Sequence, residues 1–310
     1  MKPPVVLVMV GLALVSSNPR GVESRVPGSA WSEWSEPVNL GAVNSAFNEQ
    51  NPFLSKDELT LYFTSNRPDG HGNLDIWVAH RTSRDDNWGP PSNLGSLINT
   101  ASADLAPNGS IDGHLLFFAS NRAGDQNDYD IYVAWRANPG DDSGWEAPTN
   151  VGAPVNTPDW ELAPFYLQNA EDGSGNLYFN RGVQPSQLSD IYYASISRDG
   201  ESRGAEVFVG ELNSPMNDAA VTIRKDGREL FFWSQRVGSA GPVDIWTSTR
   251  QSIHEAWSMP DNVGAPINSP FVDTTPNLSF DGRTLTFASN RPGGIGGNDL
   301  WMSVRTRGTH

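Results

Sequence analysis

The stretch Asn268-Ser-Pro-Phe-Val-Asp273-Thr-Thr-Pro-Asn-Leu-Ser-Phe-Asp281-Gly282 decides the fold, because the chain repeats its pattern five times. An anchoring Asn starts each copy, at spacings of 55, 57, 57 and 55 residues, and these residues are Asn44, Asn99, Asn156, Asn213 and Asn268. A period of this length is typical of blades, arrays or solenoids. The 310-residue chain is therefore predicted to form one closed body.

Each copy carries signals for four short strands. Several copies contain an Asp-Gly turn, which indicates a hairpin: Asp112-Gly113, Asp172-Gly173, Asp226-Gly227 and Asp281-Gly282. The strand after the turn is rich in aromatic and apolar residues, as in 59–64, 115–119, 176–179, 229–233 and 284–288. An Asp opens the third strand, at Asp75, Asp130, Asp190, Asp244 and Asp299. Four strands per repeat predict one antiparallel blade.

The two ends of the repeat region complete one another. The last copy stops after its third strand, near Arg307, whereas the chain begins with an unpaired fourth strand in residues 34–43. We therefore predict an all-β, five-bladed β-propeller with four antiparallel strands per blade, whose ring is closed by the N-terminal strand completing the last blade. An open solenoid would instead carry atypical capping repeats at its ends.

The N-terminal residues predict export. Lys2 and the short apolar run Val5 to Val15 are typical of a secretory signal, so we expect a signal peptide in 1–23, a linker in 24–33 and one propeller domain in 34–310. The periplasm or the cell exterior is the expected location. No membrane insertion is expected after cleavage, because no other apolar run approaches about 18 residues. The net charge of −15 disfavours nucleic acid as a partner. A monomer is expected.

The repeat resembles a known family. Ser289-Asn290-Arg291-Pro-Gly-Gly with Asp299-Leu-Trp301, and Leu278-Ser-Phe-Asp281-Gly282, are similar to the TolB-type, WD40-like β-propeller repeat, over residues 34–307. The first copy departs from it with Asp57-Glu58, the third with Phe179-Asn180-Arg181 and the fourth with Ser234-Gln235-Arg236. The resemblance implies a propeller. Such proteins include periplasmic scaffolds, binding modules and, less often, hydrolases or lyases, so it names no reaction.

One carboxylate follows each anchoring Asn by five residues, and these are Glu49, Asp104, Glu161, Asp218 and Asp273. If they start the innermost strands, they point toward the axis at one mouth of the central channel. Carboxylates gathered in this way would raise one another's pKa or bind a cation such as Ca²⁺. Alternatively, they cap backbone N–H groups of neighbouring strands or are solvated by channel water.

An Arg ends the second strand of each copy, at Arg67, Arg122, Arg181, Arg236 and Arg291. The Asp that opens the third strand follows it by eight or nine residues, which predicts an ion pair within the blade. Strand direction places these hairpins on the same face as the acidic ring. That face is therefore the predicted ligand-binding face.

Aromatic side chains near this face could stack against sugar rings, notably Phe47, Trp160 and Phe271. Trp160 lies between Asp159 and Glu161 and has no like counterpart in the other copies, which suits a specific site. Alternatively, Trp160 fills a gap between blades.

These features leave three functions open. The first is a binding or scaffold module for a protein or a glycan. The second is a carbohydrate-active enzyme of the glycoside hydrolase type, with Glu161 and either Glu49 or Asp218 as the catalytic pair. The third is a calcium-dependent phosphohydrolase in which a hairpin Arg clamps phosphate. Zinc and serine hydrolysis are disfavoured, since the five His lack ligand spacing and no Gly-x-Ser-x-Gly occurs.

Overall fold

A computed structural model describes residues 31–122, 129–169, 171–182 and 188–307. The predicted signal peptide lies outside these residues. The described residues are almost entirely strands and turns, with one 3-10 turn at Gly41–Val43. No helix among them has the length and apolar character needed to cross a membrane.

In the part of the chain that the structure describes, twenty strands form five four-stranded sheets, each with the strands in antiparallel order. Blade one is β2 (Glu49–Leu54), β3 (Thr60–Ser65), β4 (Asp75–His80) and β5 (Ser92–Asn93), and blade two is β6 (Asp104–Gly109), β7 (Leu115–Ser120), β8 (Asp130–Trp135) and β9 (Thr149–Asn150). Blade three is β10 (Trp160–Gln168), β11 (Gly175–Gly182), β12 (Ser189–Ile196) and β13 (Ser202–Phe208). Blade four is β14 (Asp218–Ile223), β15 (Glu229–Ser234), β16 (Asp244–Thr249) and β17 (Asp261–Asn262). Blade five is β18 (Asp273–Leu278), β19 (Thr284–Ser289) and β20 (Asp299–Val304), with β1 (Val38–Asn39) as its outer strand.

The predicted ring closure is confirmed. Val38 pairs with Met302 and Asn39 with Trp301, so the N-terminal strand completes the last blade. The pairing begins earlier than residue 34, because Trp31 forms an antiparallel bridge with Arg307. Thus the last residues of the predicted linker already belong to the edge of blade five.

The anchoring Asn explains the period of the sequence. Its side-chain amide offers one acceptor and one donor, as a peptide group does. In blade one, Ile76 N donates to Asn99 Oδ1 at 2.8 Å and Asn99 Nδ2 donates to Ile76 O at 2.9 Å. The same double contact joins Asn44 to Leu300, Asn156 to Ile131, Asn213 to Ile191 and Asn268 to Ile245. Each Asn therefore extends the outer edge of a blade by one pseudo-peptide.

The hydrophobic core lies between the blades. Apolar side chains of the second and third strands pack across each interface, in five clusters that run around the ring. Phe63, Phe117 and Phe287 are fully buried examples from three different blades. Burial on both faces of a sheet is what the aromatic-rich second strands predict.

The hairpin between the first two strands is conformationally demanding. Gly113, Gly173, Gly227 and Gly282 have φ values of 69° to 75°, in the left-handed region that favours glycine. Blade one lacks this glycine, and Glu58 adopts φ 62° in its place. The buried Glu58 carboxylate accepts a hydrogen bond from Thr284 Oγ1 at 3.0 Å, so this strained residue also joins blade one to blade five.

Candidate functional site

We call the face formed by the loops between strands two and three and between consecutive blades the upper face. The five carboxylates of the repeat lie beneath it, and each has no exposed surface: Glu49, Asp104, Glu161, Asp218 and Asp273. The prediction that they point into the central channel is wrong. The channel is instead lined by residues that follow them by two to four positions.

The first strand of every blade bulges just beyond its carboxylate. Asn51, Ala106, Ala163, Ala220 and Thr275 all have φ values between 46° and 56°. A left-handed residue at this point interrupts the alternation of side chains and turns the strand edge toward the axis. These residues and the ones after them close the channel to a cavity of about 30 Å³. No charged side chain lines it among the described residues.

Each carboxylate is held by the Ser or Thr four residues before it. In blade one, Ser45 donates its backbone N–H to Glu49 Oε2 at 2.9 Å and its hydroxyl to Glu49 Oε1 at 2.6 Å. Thr100, Thr157, Ser214 and Ser269 make the same two contacts in the other blades. The alternative in which the carboxylates cap backbone N–H groups thus describes the geometry, although the donors are in the preceding loop.

The Arg that ends strand two neutralises this carboxylate. The ion-pair distances are 2.9 Å for Arg67–Glu49, 2.6 Å for Arg122–Asp104, 2.7 Å for Arg181–Glu161, 2.5 Å for Arg236–Asp218 and 2.6 Å for Arg291–Asp273. The predicted pairing of these Arg residues with the Asp of strand three is therefore wrong. In blade one, Arg67 lies two residues beyond the strand end, and its Nε donates to Ser65 Oγ at 3.1 Å, which turns the guanidinium back toward strand one.

The Asp of strand three has a separate task. Asp75 accepts backbone N–H groups of His71 at 2.5 Å and Gly72 at 3.0 Å, and Asn93 Nδ2 donates to it at 2.9 Å. Asp244 and Asp299 accept equivalent contacts in blades four and five. These carboxylates order the upper loops, and the Arg guanidinium groups pair instead with the carboxylates of the first strands.

Blade three reaches the same ion pair by a different route. Glu161 is paired across the sheet with Arg181, whereas in blade one Glu49 is paired with Ser65. Arg181 thus takes the Ser position of the other blades, and its Nε donates directly to Glu161 Oε1 at 2.7 Å. Burial raises the pKa of Glu161 to about 7, although the contacts with Thr157 and Arg181 oppose the shift.

Trp160 is the most distinctive residue of the upper face. It pairs with Gly182 across the sheet, one position before the acid, whereas the pairing in blade two begins at the acid itself, with Asp104 opposite Ser120. A Cβ atom on Gly182 would lie 1.9 Å from Trp160 Cζ2, so the indole rests directly on the glycine backbone. Trp160 and Asp159 are both partly exposed. In the neighbouring loops, Phe47 is 42% exposed and Phe271 39%.

Metal binding lacks a described set of ligands. No group of three or more His, Cys, Asp or Glu side chains in 31–122, 129–169, 171–182 and 188–307 is arranged to hold an ion. The five carboxylates predicted to bind Ca²⁺ are each balanced by a guanidinium and lie in separate blades. Calcium binding therefore stays a prediction.

Comparison with known proteins supports the propeller fold but does not identify a family. No sequence-family model matches the chain, and no curated protein matches it. Among solved structures, an α-L-arabinofuranosidase from Lactobacillus brevis matches with a TM-score of 0.59 and 14% identity, over 86% of this chain and 92% of that one. An α-L-arabinofuranosidase from Podospora anserina, solved with cellotriose, matches with a TM-score of 0.60 and 11% identity, over 89% and 98%.

TolB from Acinetobacter baumannii also matches, with a TM-score of 0.53 and 14% identity, over 86% of this chain and 56% of that one. Further matching structures are an endo-arabinase from Bacteroides thetaiotaomicron and an arabinanase from Bacillus subtilis. At these identities the likeness shows the propeller fold alone. Membership of the TolB-type family stays a prediction.

Proposed function

We propose that this protein binds a carbohydrate through the upper face of blade three and does not cleave it. The observation that carries the proposal is the pairing of Trp160 with Gly182, which gives one blade an aromatic platform beside the partly exposed Asp159. An indole face suits the C–H face of a sugar ring, and a neighbouring carboxylate can accept hydroxyl hydrogen bonds. A single such platform also breaks the fivefold symmetry of the rim.

The structural neighbours support a carbohydrate as the ligand more than a protein partner. Most of those named above are described as arabinofuranosidases or arabinanases. They also favour the second candidate, a glycoside hydrolase, over a simple binding module. The raised pKa of Glu161 fits a general acid in such an enzyme.

The geometry nevertheless ranks binding first. A glycosidase needs two carboxyl groups that face one glycosidic bond. Glu161, Glu49 and Asp218 have no exposed surface, and each is bonded to an Arg of its own blade. The same ion pairs occupy the guanidinium groups that a phosphohydrolase would need for phosphate, which leaves that third candidate without support.

Isothermal titration with neutral arabino-, xylo- and cello-oligosaccharides tests the proposal. We expect binding by the wild type and at least a tenfold loss of affinity in Trp160→Ala. Trp135→Ala is the matched control, because Trp135 is 43% exposed but lies at the end of β8 away from the upper face. Binding that is unchanged in Trp160→Ala would refute the upper-face site.

A reducing-sugar assay on the same oligosaccharides separates binding from hydrolysis. We expect no release above the buffer blank. Release that Glu161→Gln abolishes while the variant still binds the oligosaccharide would establish the glycoside hydrolase instead. Predicted export from residues 1–23 would bring the protein to such polymers, and we propose a location outside the cytoplasm on that basis.

A further inference from the structure

A large cleft opens between blades three and four on the lower face, which carries the hairpins between strands one and two and between strands three and four. Its volume is about 1220 Å³. The cleft exists because β10, β11, β12 and β13 have 9, 8, 8 and 7 residues, whereas the matching strands of blade four have 6, 6, 6 and 2. Blade three therefore forms a raised wall beside its neighbour.

The wall of blade three is aromatic. Tyr178 and Tyr193 pack with their ring centroids 5.1 Å apart, and both line the cleft. Phe208, at the end of β13, is 50% exposed and lines it as well. Tyr178 is buried, so the partly exposed Tyr193 and the half-exposed Phe208 are the rings of this wall that offer stacking surfaces for flat or ring-shaped ligands.

The wall of blade four is built on a cation and an aromatic ring. The Arg250 guanidinium lies 4.1 Å from the centroid of Trp257, and Ile253, which is 57% exposed, lies beside them. Arg250 Nε donates to Gly227 O at 2.6 Å, which holds the guanidinium against a hairpin of its own blade. Tyr178, Tyr193 and Trp257 belong to one hydrophobic cluster that joins the two blades.

Charge excludes a polyanion as the occupant. The described residues of the lining include six carboxylates, Glu171, Asp172, Asp199, Glu211, Asp226 and Glu255. They include four basic side chains, Arg198, Arg203, Lys225 and Arg250. An excess of negative groups repels phosphate and sulfate polymers. Many donors and acceptors among aromatic rings suit a neutral, hydroxyl-rich ligand.

The edge of β13 argues against a peptide as the occupant. A peptide that adds to a sheet needs a regular row of free backbone groups. The pairing of β12 with β13 shifts between Tyr193 and Ser195, and Gly204 has φ 78°. A bulge of this kind interrupts the ladder and is a known protection of edge strands.

We propose that this cleft is a second carbohydrate site, for a neutral oligosaccharide of several units. Its volume exceeds the roughly 300–1,000 Å³ of a pocket for one small molecule, so an extended ligand fills it better. The inference rests on the carbohydrate class proposed above, but not on the Trp160 site. The two sites lie on opposite faces, so one polymer chain cannot occupy both without passing around the ring.

Titration of the full-length protein with a neutral arabino-oligosaccharide and with cellotriose tests the cleft. We expect two sites per chain in the wild type and one in Trp160→Ala. In Phe208→Ala the cleft affinity falls at least tenfold while the upper-face affinity is kept. Phe208 contacts Tyr192 with ring centroids 5.4 Å apart, so a second variant, Ile253→Arg, obstructs the cleft mouth without removing that contact.

Each outcome decides between the sites. Two sites reduced to one by Ile253→Arg support the cleft, and so does a single site that only Phe208→Ala and Ile253→Arg abolish, although that result would overturn the Trp160 site. A single site lost only in Trp160→Ala overturns the cleft. The cleft proposal is also overturned if a uronic-acid oligosaccharide of equal length, or an extended peptide, binds more tightly than the neutral oligosaccharide and Ile253→Arg abolishes that binding. Absence of any oligosaccharide binding overturns both proposals.

Discussion

The ion pair between Arg67 and Glu49 gives a sharp test of what the ring of charged residues does. Arg67 Nη2 donates to Glu49 Oε1 at 2.9 Å and to Val43 O at 2.6 Å. Its guanidinium also lies 5.0 Å from the centroid of Trp77. Because Glu49 has no exposed surface, Arg67→Met would leave a buried carboxylate without its counter-charge.

Loss of one partner of a buried ion pair costs about 3–5 kcal/mol. Glu49 would keep its hydrogen bonds from Ser45 and Ser65, which places the expected loss near the lower end, at about 3 kcal/mol. Glu49→Gln together with Arg67→Met removes both charges. The double variant should be more stable than the sum of the single effects predicts, with a coupling energy of roughly 1–3 kcal/mol.

Equilibrium unfolding in guanidinium chloride measures these free energies, with tryptophan fluorescence and far-UV circular dichroism followed in parallel to verify a single transition. Arg228→Met is the matched control, because Arg228 and Asp226 are about half exposed and 3.3 Å apart. It should cost less than about 1 kcal/mol. If Arg67→Met costs no more than this control, the structural reasoning is refuted. If it also weakens oligosaccharide binding, the ring is a ligand site.

Three further changes probe other parts of the chain. Burial raises the folded pKa of Glu161 from its ordinary 4.5 to about 7. The unfolding free energy of the wild type relative to Glu161→Gln should therefore fall by about 3 kcal/mol as the pH rises between these values, and stay level outside them. A difference that stays flat from pH 4 to 8 would contradict the shift. Gly182→Ala should displace the Trp160 indole and cost about 1–3 kcal/mol, with a changed near-UV spectrum, whereas an unchanged spectrum would place the indole elsewhere. Trp31→Ala should cost about 1–3 kcal/mol in the same unfolding assay, because its ring lies 4.4 Å from the Arg305 guanidinium and 5.1 Å from that of Arg307; no loss would show that the N-terminal edge adds nothing to ring closure.

The sequence predicts the ring because its periodic residues act through the backbone. Asn99 bonds both backbone groups of Ile76, so an Asn is needed once per blade and its spacing reveals the blade length. Closure by residues 34–43 follows from counting strands, which needs no side-chain geometry. The five blades and the closure of the ring are both confirmed.

Side-chain direction could not be predicted in the same way. Strict alternation along the first strand points Glu49 toward the axis, but Asn51 has φ 51° and the strand bulges there. A single left-handed residue reverses which side chains face the channel. The pairing of Arg67 with Glu49 was missed for a related reason. Sequence spacing favours contacts within one hairpin, whereas the guanidinium turns back toward strand one because its Nε donates to Ser65 Oγ.

The different register of blade three could have been predicted from the residue spacing, although its Asn-Arg motif matches the other repeats. Asn180-Arg181 copies the Asn-Arg of the other repeats, yet Glu161 and Arg181 are 20 residues apart where the other four acid and Arg pairs are separated by 18. Glu161 and its cross-strand partner Arg181 are 20 residues apart, whereas Glu49 and its partner Ser65 are 16 apart, so the Arg stands in the Ser position and β11 runs on to Gly182. Spacing therefore reports the register more faithfully than the motif does.

The same lengthening connects the two proposed sites. Extension of β11 at its upper end places Gly182 opposite Trp160, and the longer strands at the lower end raise the wall that carries Phe208. Blades one, two, four and five are close to identical and use their acid and Arg groups to hold the ring. A ligand that binds in a single orientation on this fivefold ring must therefore contact blade three. Among the described residues, blade three differs from the other blades at both of its ends, and the effects of Trp160→Ala and Phe208→Ala will show which end the ligand uses.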